Sequence, residues 1–538
     1  MKARLLLAAV SGVVGVFAFP PFGLWPLAIL AVAGLSIAVN KQRSKHAALL
    51  GFVFGAGLFG PMLHWTATYV GALPWLVLTF AMIWFTTLLA AALPVLQRQR
   101  FGPVFVAGGW VAEEALRDRV PFGGFPWGRW AFSQAESPLK WFATLGGAPL
   151  VTFVVALAGA CLAAAVYRPG VIRSSLRVTI AVLLVISGAA LGVPLKPPAS
   201  SHTTTIAAIQ GNVPDRGLEF NARRRQVLDN HVAETLKLVA DIKAGRMPKP
   251  SLVLWPENAS DIDPTTNPDA AQVIQQATDA VGVPILVGAL LDGPGPNHVT
   301  NAGIVWMPSS SPNPGPGQRY VKRHPVPFGE YIPLRSIAEK VSSKVNLVGR
   351  DMVAGKGNGL LTQTPYPVGD VICFEVAYDG LVRSSVRAGA QLLVIQTNNA
   401  TFGHSAETYQ QLAMAQLRAV ENRRTVVQVA TSGKSAIIGP DGTIEQESGA
   451  LFTSAVLTRT VALETSTTLA TRTEAVTEWV LVALGLLGIA LGAAPAVRRR
   501  WFGTADPATA RTSGTPATEP SGSADREPEQ PAGTTAEK

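Results

Sequence analysis

The feature that most constrains this chain is a pair of long stretches without any Asp, Glu, Lys or Arg. One stretch runs from Leu5 to Asn40 and the other from His46 to Gln97. A membrane-spanning helix needs about 20 apolar residues, so each stretch has room for two crossings, and Pro20–Gly23 divides the first. Only 15% of the 538 residues are charged and 48% are apolar, which is too few charges for a wholly soluble chain of this length. The sequence therefore predicts a polytopic α-helical membrane protein.

Four further apolar segments each predict one more crossing, which gives about eight in all. They are a segment that begins near Phe101 and the runs Trp141–Tyr167, Val178–Leu195 and Trp479–Val497. The first of these is the weakest, because it meets Glu113 and Glu114. The N-terminal stretch follows two basic residues, as a signal peptide would, but no small-residue cleavage site is evident and more spans follow. We therefore expect a retained helix.

The distribution of Lys and Arg predicts how these helices are oriented. Basic clusters lie at Lys2/Arg4, Lys41/Arg43/Lys45, Arg98/Arg100, Arg168/Arg173/Arg177 and Arg498/Arg499/Arg500. Each neighbouring pair of clusters is separated by two crossings, so the positive-inside rule places all five on the cytoplasmic side, together with both termini. Because this pattern accounts for the net charge of +10, no nucleic-acid partner is expected. The connection Arg117–Lys140 and the large hydrophilic block then lie outside the cytoplasm.

The resulting organisation has four parts. Seven transmembrane helices occupy residues 1–200, a hydrophilic domain occupies 201–464, and a C-terminal transmembrane helix occupies 475–500. Residues 501–538 are predicted to be a disordered cytoplasmic tail. From Thr504 onward this tail has no aliphatic residue larger than Ala, so it cannot bury a core.

The hydrophilic block alternates β-rich apolar runs with helix-like stretches. The candidate strands are Thr204–Gln210, Ser251–Trp255, Pro284–Val287, Ala302–Trp306, Val368–Cys373, Leu392–Thr397, Thr425–Ala430 and Ser435–Ile438. The candidate helices are Ala222–Ala244, Asp269–Ala280, Tyr378–Ala388 and Glu407–Glu421, and Pro308–Gly317 is predicted to be a loop. This alternation indicates one α/β domain with buried sheets.

Three polar residues end apolar strands or follow them closely, where α/β folds commonly place their chemistry. They are Glu257, Lys322 and Cys373. A thiolate can attack a carbonyl, a carboxylate can take and return the proton, and a cation can stabilise the oxyanion. Taken singly, each residue has a structural alternative: a small buried Cys, a turn or capping acid, and a solvated base. The other cysteine, Cys161, lies in an apolar run, so a disulfide scaffold is excluded.

The amino-acid sequences of three motifs, and their order, resemble those of a known family. Trp255-Pro256-Glu257, then Tyr320–Pro333 (YVKRHPVPFGEYIP), then Ile372-Cys373-Phe374-Glu375 resemble, in this order, the Glu-Lys-Cys signature of the carbon-nitrogen hydrolase (nitrilase) superfamily. Such a domain between seven N-terminal spans and one C-terminal span resembles the apolipoprotein N-acyltransferase family. Ala208–Pro214 and Gln416–Arg423 also match that family, and the resemblance covers roughly Met1 to Arg500.

The resemblance implies a fold, an activity and partners. The fold would be the helical membrane domain plus an extracytoplasmic nitrilase-like α-β-β-α sandwich. The activity would be transfer of the sn-1 acyl chain of a phospholipid to the N-terminal S-diacylglyceryl-cysteine of apolipoproteins, the last step of bacterial lipoprotein maturation. The enzyme would lie in the bacterial plasma membrane, need no cofactor or metal, and act as a monomer.

The resemblance also implies roles for single residues. Cys373 would be the nucleophile that forms a thioester, Glu257 the general base and acid, and Lys322 the oxyanion stabiliser. Glu330 matches a glutamate that orients the lysine. Glu375 matches another acid needed for activity, although a strand-end surface charge is an equal alternative.

The chain departs from the family pattern at one place. Asn399 and Thr401 stand where members usually carry an aspartate and a tryptophan. Phe402 could replace part of the lost aromatic contact with an acyl chain, so Phe402 and Asn399 are candidate substrate contacts. His324 and His404 lack companions at metal-ligand spacing, so no metal site is expected.

Two other functions remain open from the residues alone. A membrane-tethered nitrilase-type amidase would use the same three residues with water as acceptor to hydrolyse a small amide. The second alternative is a transporter or a purely structural membrane protein with a degenerate outer domain. Transporters usually need polar or charged groups within their spans, which these runs almost lack. The intact Glu257, Lys322 and Cys373 also argue against a degenerate domain.

Overall fold

The structure is a computed structural model that describes residues 1–168, 170–197, 200–213, 224–341 and 343–502. Contacts divide the chain into one compact unit, Met1–Gly492, and a second, Ala493–Lys538. Both sheets and the candidate site lie in the first unit. The tail predicted over residues 501–538 falls outside the described residues from position 503 on.

A helix lies at each position where the sequence predicts a span. These helices are α1 (Lys2–Val16), α2 (Pro26–Ala38), α3 (Ser44–Met62), α4 (Ala72–Gln97), α5 (Gly102–Arg117), α6 (Ala143–Tyr167), α7 (Val171–Leu195) and, after the hydrophilic domain, α14 (Val476–Phe502). Within the described ranges, four helical segments are long and apolar enough to cross a membrane: Ala72–Gln97, Pro138–Tyr167, Val171–Leu195 and Val476–Ala494. Helices α1, α2 and α5 are only 15, 13 and 16 residues long. The count of about eight spans therefore stays a prediction.

Polar side chains tie several helix ends together on one face of the helical region. The Arg4 guanidinium near the start of α1 donates to the carbonyl of Ala38 at the end of α2, at 2.6 Å. The Asn40 amide donates to the side chain of Gln97, the last residue of α4, at 3.2 Å, and Arg168 after α6 donates to the Gln97 carbonyl. Cations at helix C-termini satisfy carbonyls that have no partner within the helix. The start of α1 and the ends of α2, α4 and α6 therefore share one face.

The hydrophilic domain contains two sheets. The first has the order β13 (Ala455–Ala462), β1 (Thr203–Gln210), β2 (Leu252–Leu254), β3 (Ile285–Asp292), β4 (His298–Met307) and β5 (Gly315–Val321), with β6 (Asp351–Met352) also pairing with β4. The second has the order β12 (Ile444–Glu447), β11 (Ala436–Ile438), β10 (Thr425–Ala430), β9 (Leu392–Thr397), β8 (Val368–Ile372) and β7 (Leu360–Leu361). Strands β1 to β3 are parallel, and so are β8 to β10.

Burial along the strands shows how the two sheets stack. On β1, Ile206 and Ala208 join a core shared with β8, β9 and β10, whereas Ala207 and Ile209 join a core with α8 (Arg224–Lys243) and α9 (Pro268–Val281). This is the period-two alternation of a sheet buried on both faces. The opposite face of the second sheet packs against α11 (Asp379–Arg387) and α12 (Glu407–Asn422). The predicted α-β-β-α sandwich is confirmed.

The predicted strands and helices of this domain are present, with shifts of up to about five residues at their ends. Ala222, the predicted start of the first helix, lies outside the described residues. The segment Pro308–Gly317 is predicted to be a loop throughout, but its last three residues form the start of strand β5, which is not among the predicted strands. Two short helices, α10 (Arg335–Val341) and α13 (Leu469–Thr473), and the strands β6, β7, β12 and β13 were not predicted.

A buried charge cluster joins the sandwich to the helical region. Arg129, in the connection after α5, contacts Glu114 at 3.3 Å, Asp118 at 3.4 Å and Asp379 of α11 at 2.9 Å. Arg418 of α12 contacts Asp379 at 2.6 Å. All five side chains are at least nine-tenths buried, so each charge depends on its partners. The helical layer of the sandwich is thereby fixed to the helices around α5.

Candidate active site

The fold brings the three predicted catalytic residues together from three strand ends. Glu257 follows β2, Lys322 follows β5 and Cys373 follows β8. Gly288 on β3 permits this approach, because a Cβ there would lie 2.8 Å from the Cα of Glu257. Glu257 is 3% exposed and Lys322 is 1% exposed, so the pair is shielded from bulk water.

Lys322 is the centre of a buried ionic cluster. Its Nζ donates to Oε1 of Glu257 at 2.9 Å and to Oε1 of Glu330 at 2.5 Å. Burial alone would lower the pKa of this ammonium, but the two carboxylates outweigh it and hold the Lys322 pKa well above its ordinary value. Burial raises the pKa of Glu330, although the lysine opposes that shift. Lys322 is therefore a permanent cation at the site.

Two further donors fix the Glu257 carboxylate. The Asn301 side-chain amide donates to Oε1 at 2.7 Å, and the backbone N–H of Asn398 donates to Oε2 at 2.9 Å. With Lys322, these contacts occupy both oxygens and define one orientation. A carboxylate with fixed orientation can exchange a proton repeatedly with one neighbouring group.

Cys373 sits at a sharp turn between β8 and a short 3₁₀ helix, Cys373–Ala377. Its φ of 54° lies in the left-handed region that side chains rarely adopt. Hydrogen-bond partners reach its Sγ from Oγ1 of Thr397 at 3.3 Å and Nε2 of Gln411 at 3.5 Å. Burial raises the pKa of the Cys373 thiol, the charge of Glu257 raises it further, and Lys322 lowers it. The charges of both partners therefore act on this sulfur.

Glu375 is fully buried and serves as an acceptor for several backbone groups. It accepts from the N–H of Ile372 at 2.9 Å, of Arg323 at 2.6 Å and of His324 at 3.1 Å. The Tyr320 hydroxyl also donates to it at 2.9 Å. Burial raises the pKa of Glu375, while the backbone donors and Lys322 oppose that shift. Through these hydrogen bonds, the Glu375 carboxyl links the end of β5, next to Lys322, to the end of β8, next to Cys373.

Asn399 and Phe402 have different surroundings. Asn399 is 3% exposed, and its amide donates to Glu407 at 2.8 Å and to Gln411 at 2.9 Å. Phe402 is partly buried against Trp65, which follows α3, with ring centroids 4.9 Å apart.

An aromatic cluster continues from Phe402 to the turn at Cys373. Trp65 lies 5.2 Å from Trp127, and Trp127 is stacked 6.2 Å from Phe374, the residue after Cys373. Trp127 also donates to Gln410 of α12 at 2.6 Å. The helical region thus contributes apolar surface beside Phe374, the residue that follows Cys373.

Across the parts of the chain that the structure describes, there is no cluster of three His, Cys, Asp or Glu that could hold a metal ion. His324 stacks on Tyr378 with centroids 4.2 Å apart, and His404 packs against Phe452.

Several site residues were missed by sequence reasoning. Asn301 lies inside β4, Thr397 ends β9, and Gln411 lies on α12 beside Glu407. Only Thr397 carried a usable signal, since a polar residue ended a predicted buried strand there. Asn301 and Gln411 reach the site only because a particular face of β4 and of α12 is turned toward it, and the sequence does not reveal which face that is.

The chain is similar to known proteins along most of its length. A family model described as apolipoprotein N-acyltransferase N-terminal domain matches residues 11–161, and one described as carbon-nitrogen hydrolase matches residues 205–471. An apolipoprotein N-acyltransferase of Mycolicibacterium smegmatis is 41% identical, over 89% of this chain and 84% of its own length. One from Pseudomonas putida is 31% identical, over 82% and 87%.

Among solved structures, an amidase of the nitrilase superfamily from Nesterenkonia AN1 is 17% identical, with a TM-score of 0.36, covering 49% of this chain and 92% of its own. The M. smegmatis relative matches nearly the whole chain, both the helical region and the sandwich. The chain therefore belongs to the apolipoprotein N-acyltransferase family.

Proposed function

We propose that this membrane enzyme N-acylates apolipoproteins in two half-reactions through a thioester on Cys373, with a phospholipid as acyl donor. The observation that carries the mechanism is the placement of Cys373 at a strained turn under the charges of the buried Lys322–Glu257 pair. The family supports the acyl-transfer reaction itself. A nucleophile, a proton acceptor and a fixed cation are the groups that the reaction requires.

In the first half-reaction, Glu257 takes the thiol proton and Sγ of Cys373 attacks the sn-1 ester carbonyl of the phospholipid. A C–S bond forms, and the oxyanion is stabilised by the ammonium of Lys322. When the C–O bond breaks, Glu257 returns the proton to the leaving alkoxide. The products are the acyl-enzyme and a lysophospholipid. Asn301 and the Asn398 N–H hold Glu257 in place throughout.

In the second half-reaction, the α-amino group of the diacylglyceryl-cysteine attacks the thioester. Glu257 takes a proton from the nitrogen, an amide bond forms, the C–S bond breaks and the thiolate recovers the proton. A thioester has an acyl-transfer potential at least as high as that of an oxygen ester, so amide formation needs no cofactor or ATP. The kinetics are ping-pong because the acyl-enzyme separates the two half-reactions.

Three other residues support this chemistry. Glu330 positions Lys322 through their 2.5 Å contact, and Glu375 fixes the two strand ends that carry Lys322 and Cys373. Phe402 contacts the acyl chain together with Trp65. A Phe402→Ala variant that ran both half-reactions at unchanged rates would remove Phe402 from this set.

The topology is also part of the proposal. Seven helices in residues 1–200 and one in 475–500 span the bacterial plasma membrane, residues 201–464 form the extracytoplasmic catalytic domain, and residues 501–538 form a cytoplasmic tail. The shared face of the α1 start and the ends of α2, α4 and α6 supports this alternation. The contact of Arg129 with Asp379 supports a catalytic domain on the opposite face. The enzyme acts as a monomer.

The test is a single-turnover assay of the purified protein in detergent, with phospholipid labelled in its sn-1 acyl chain. We expect a hydroxylamine-sensitive adduct on Cys373, detected by mass spectrometry, and its absence in Cys373→Ala. Cys161→Ala is the matched control, because Cys161 is buried in α6 and should leave the adduct unchanged.

The adduct should disappear when a diacylglyceryl-cysteine peptide is added, with the label recovered as an amide. If no phospholipid gives an adduct in a folded sample, the donor proposed here is wrong. Hydrolysis of a small amide by that same sample would then identify a tethered amidase.

A further inference from the structure

Two neutral side chains meet the sulfur of Cys373, and neither belongs to the ionic cluster. Thr397 at the end of β9 places Oγ1 3.3 Å from Sγ. Gln411 of α12 places Nε2 3.5 Å from Sγ, within the reach of a hydrogen bond to sulfur. Both residues are fully buried, so water does not compete for these contacts.

The hydrogen bonds of the Gln411 side-chain oxygen fix the orientation of its amide group. Oε1 of Gln411 accepts from the Thr397 hydroxyl at 2.8 Å and from the Asn399 amide at 2.9 Å. A side-chain amide with two donors on its oxygen must direct its NH₂ group the other way. That group is the one facing Sγ, so Gln411 is held as a donor to the sulfur.

Asn399 is held in turn by Glu407. The same Asn399 amide nitrogen donates to Oε2 of Glu407 at 2.8 Å, and both residues are nearly fully buried. The contacts therefore run in order from Glu407 through Asn399 and Gln411 to Cys373.

We infer that Thr397, Gln411 and Asn399 form a hydrogen-bonded chain that orients the Cys373 thiol and stabilises its thiolate. This inference rests on the proposed role of Cys373 as nucleophile. Thr397 and Gln411 act on the reacting sulfur directly, and Asn399 is a positioning residue that acts through Gln411. Asn399 thus has a role inside the protein rather than at the substrate.

The proton positions change in a defined way when the thiolate forms. The Thr397 hydroxyl has one hydrogen. While the thiol is protonated, that hydrogen goes to Oε1 of Gln411. After Glu257 has taken the thiol proton, the hydroxyl turns to donate to Sγ, while Oε1 of Gln411 keeps the Asn399 amide. The anion then has two neutral donors in addition to the nearby ammonium of Lys322.

The experiment measures the rate of Cys373 alkylation by iodoacetamide against pH in the purified full-length protein. Iodoacetamide needs no acyl donor, so the thiolate is observed independently of substrate. The test variants are Thr397→Val, Gln411→Met and Asn399→Leu. Thr397→Ser keeps the hydroxyl, and Thr278→Val is the matched control, because it removes an equally buried hydroxyl from α9.

We expect the midpoint of the alkylation profile to move upward by about one pH unit in Thr397→Val and in Gln411→Met, as the loss of a hydrogen bond to an anion predicts. Asn399→Leu should shift it in the same direction, because the freed Gln411 amide can turn its oxygen toward the sulfur. Thr397→Ser and Thr278→Val should keep the original midpoint. Each variant is judged separately, after gel filtration shows that it is folded.

Unchanged midpoints in the folded variants would overturn the inference while leaving the acyl-enzyme result intact. If the unaltered protein forms no adduct with phospholipid, the proposed function fails instead, whatever the alkylation profiles show.

Discussion

The ammonium of Lys322 donates a hydrogen bond to each of two carboxyl groups, the buried Glu257 at 2.9 Å and the partly buried Glu330 at 2.5 Å. Two carboxyl groups thus hold the ammonium from two sides before any substrate arrives. In the proposed reaction, the substrate carbonyl meets a lysine whose position is already set. Such preorganisation lets a cation stabilise an oxyanion without rearranging during the reaction.

Glu330→Gln is expected to slow acyl-enzyme formation about 100-fold, the scale of a small misplacement of a catalytic group. Lys322 would keep only the Glu257 contact and would be drawn toward it, away from the oxyanion position. Single-turnover kinetics with labelled phospholipid provide the measurement. Glu339→Gln on α10 is the control, because Glu339 is 44% exposed and lies in the same part of the chain. Equal rates in both variants would contradict a role for Glu330.

Glu375→Gln should reduce stability as well as activity. Ile372 donates to Oε2 of Glu375, whereas Arg323 and His324 donate to Oε1. The NH₂ group of Gln replaces one of these oxygens, so at least one backbone N–H would lose its acceptor. A buried polar group left unsatisfied costs about 1–3 kcal/mol, and more when a charge is involved. We expect a lower apparent melting temperature in detergent and slower acylation. Glu447→Gln, on the exposed strand β12, should change neither. A variant with normal stability but no activity would instead indicate direct contact of Glu375 with the substrate.

The sequence predicted most of the fold because its signals are local. Apolar β-rich runs marked most of the buried strands, and three sequence motifs marked Glu257, Lys322 and Cys373. Strand β12 has the sequence Ile-Glu-Gln-Glu and lies at a sheet edge with alternating exposure. Because three of its four residues are polar, it has no apolar run that would identify it as a strand. Strand β13 also lies at an edge and is partly exposed. Edge strands lack the continuous apolar run by which buried strands are recognised.

The burial of Glu375 depends on contacts between distant segments and could not be read from its neighbours in sequence. The sequence left a surface charge and a site acid as equal alternatives, and the structure places the residue at 0% exposure. The partners Asn301 and Gln411 were missed for the same reason. Their neighbours in sequence do not reveal that β4 and α12 turn these side chains toward the site.

Asp379→Asn should weaken the attachment of the sandwich to the helical region. Burial alone would raise the pKa of Asp379, but Arg129 and Arg418 outweigh it and hold the pKa below its ordinary value. The carboxylate therefore contributes its full stability above an ordinary aspartate pKa of about 4 and loses it as the pH falls further. Replacing one partner in such a cluster costs about 3–5 kcal/mol.

The measurement is the apparent melting temperature of Asp379→Asn and of the unaltered protein at pH 7, 5 and 3.5. The variant should be less stable at pH 7 and 5 by similar amounts, and the gap should begin to narrow at the lowest pH. Asp292→Asn is the control, because that aspartate forms an exposed pair with Arg350. A gap that widened on acidification would contradict the assignment.

Glu407→Gln is expected to remove a pH dependence of stability. Burial raises the pKa of Glu407 from 4.5 to about 8, although the Asn399 amide opposes the shift and the charge of Glu257 adds to it. Between these two values the folded protein binds more protons at this site than the unfolded chain, so its stability falls as the pH rises, by at most about 1.4 kcal/mol per pH unit. The neutral Gln keeps an acceptor for Asn399 and carries no charge to bury. The melting temperature of the variant, relative to the unaltered protein, should therefore increase from pH 5 to pH 8.5. A difference that stayed constant across this range would show that Glu407 is already ionised in the folded protein.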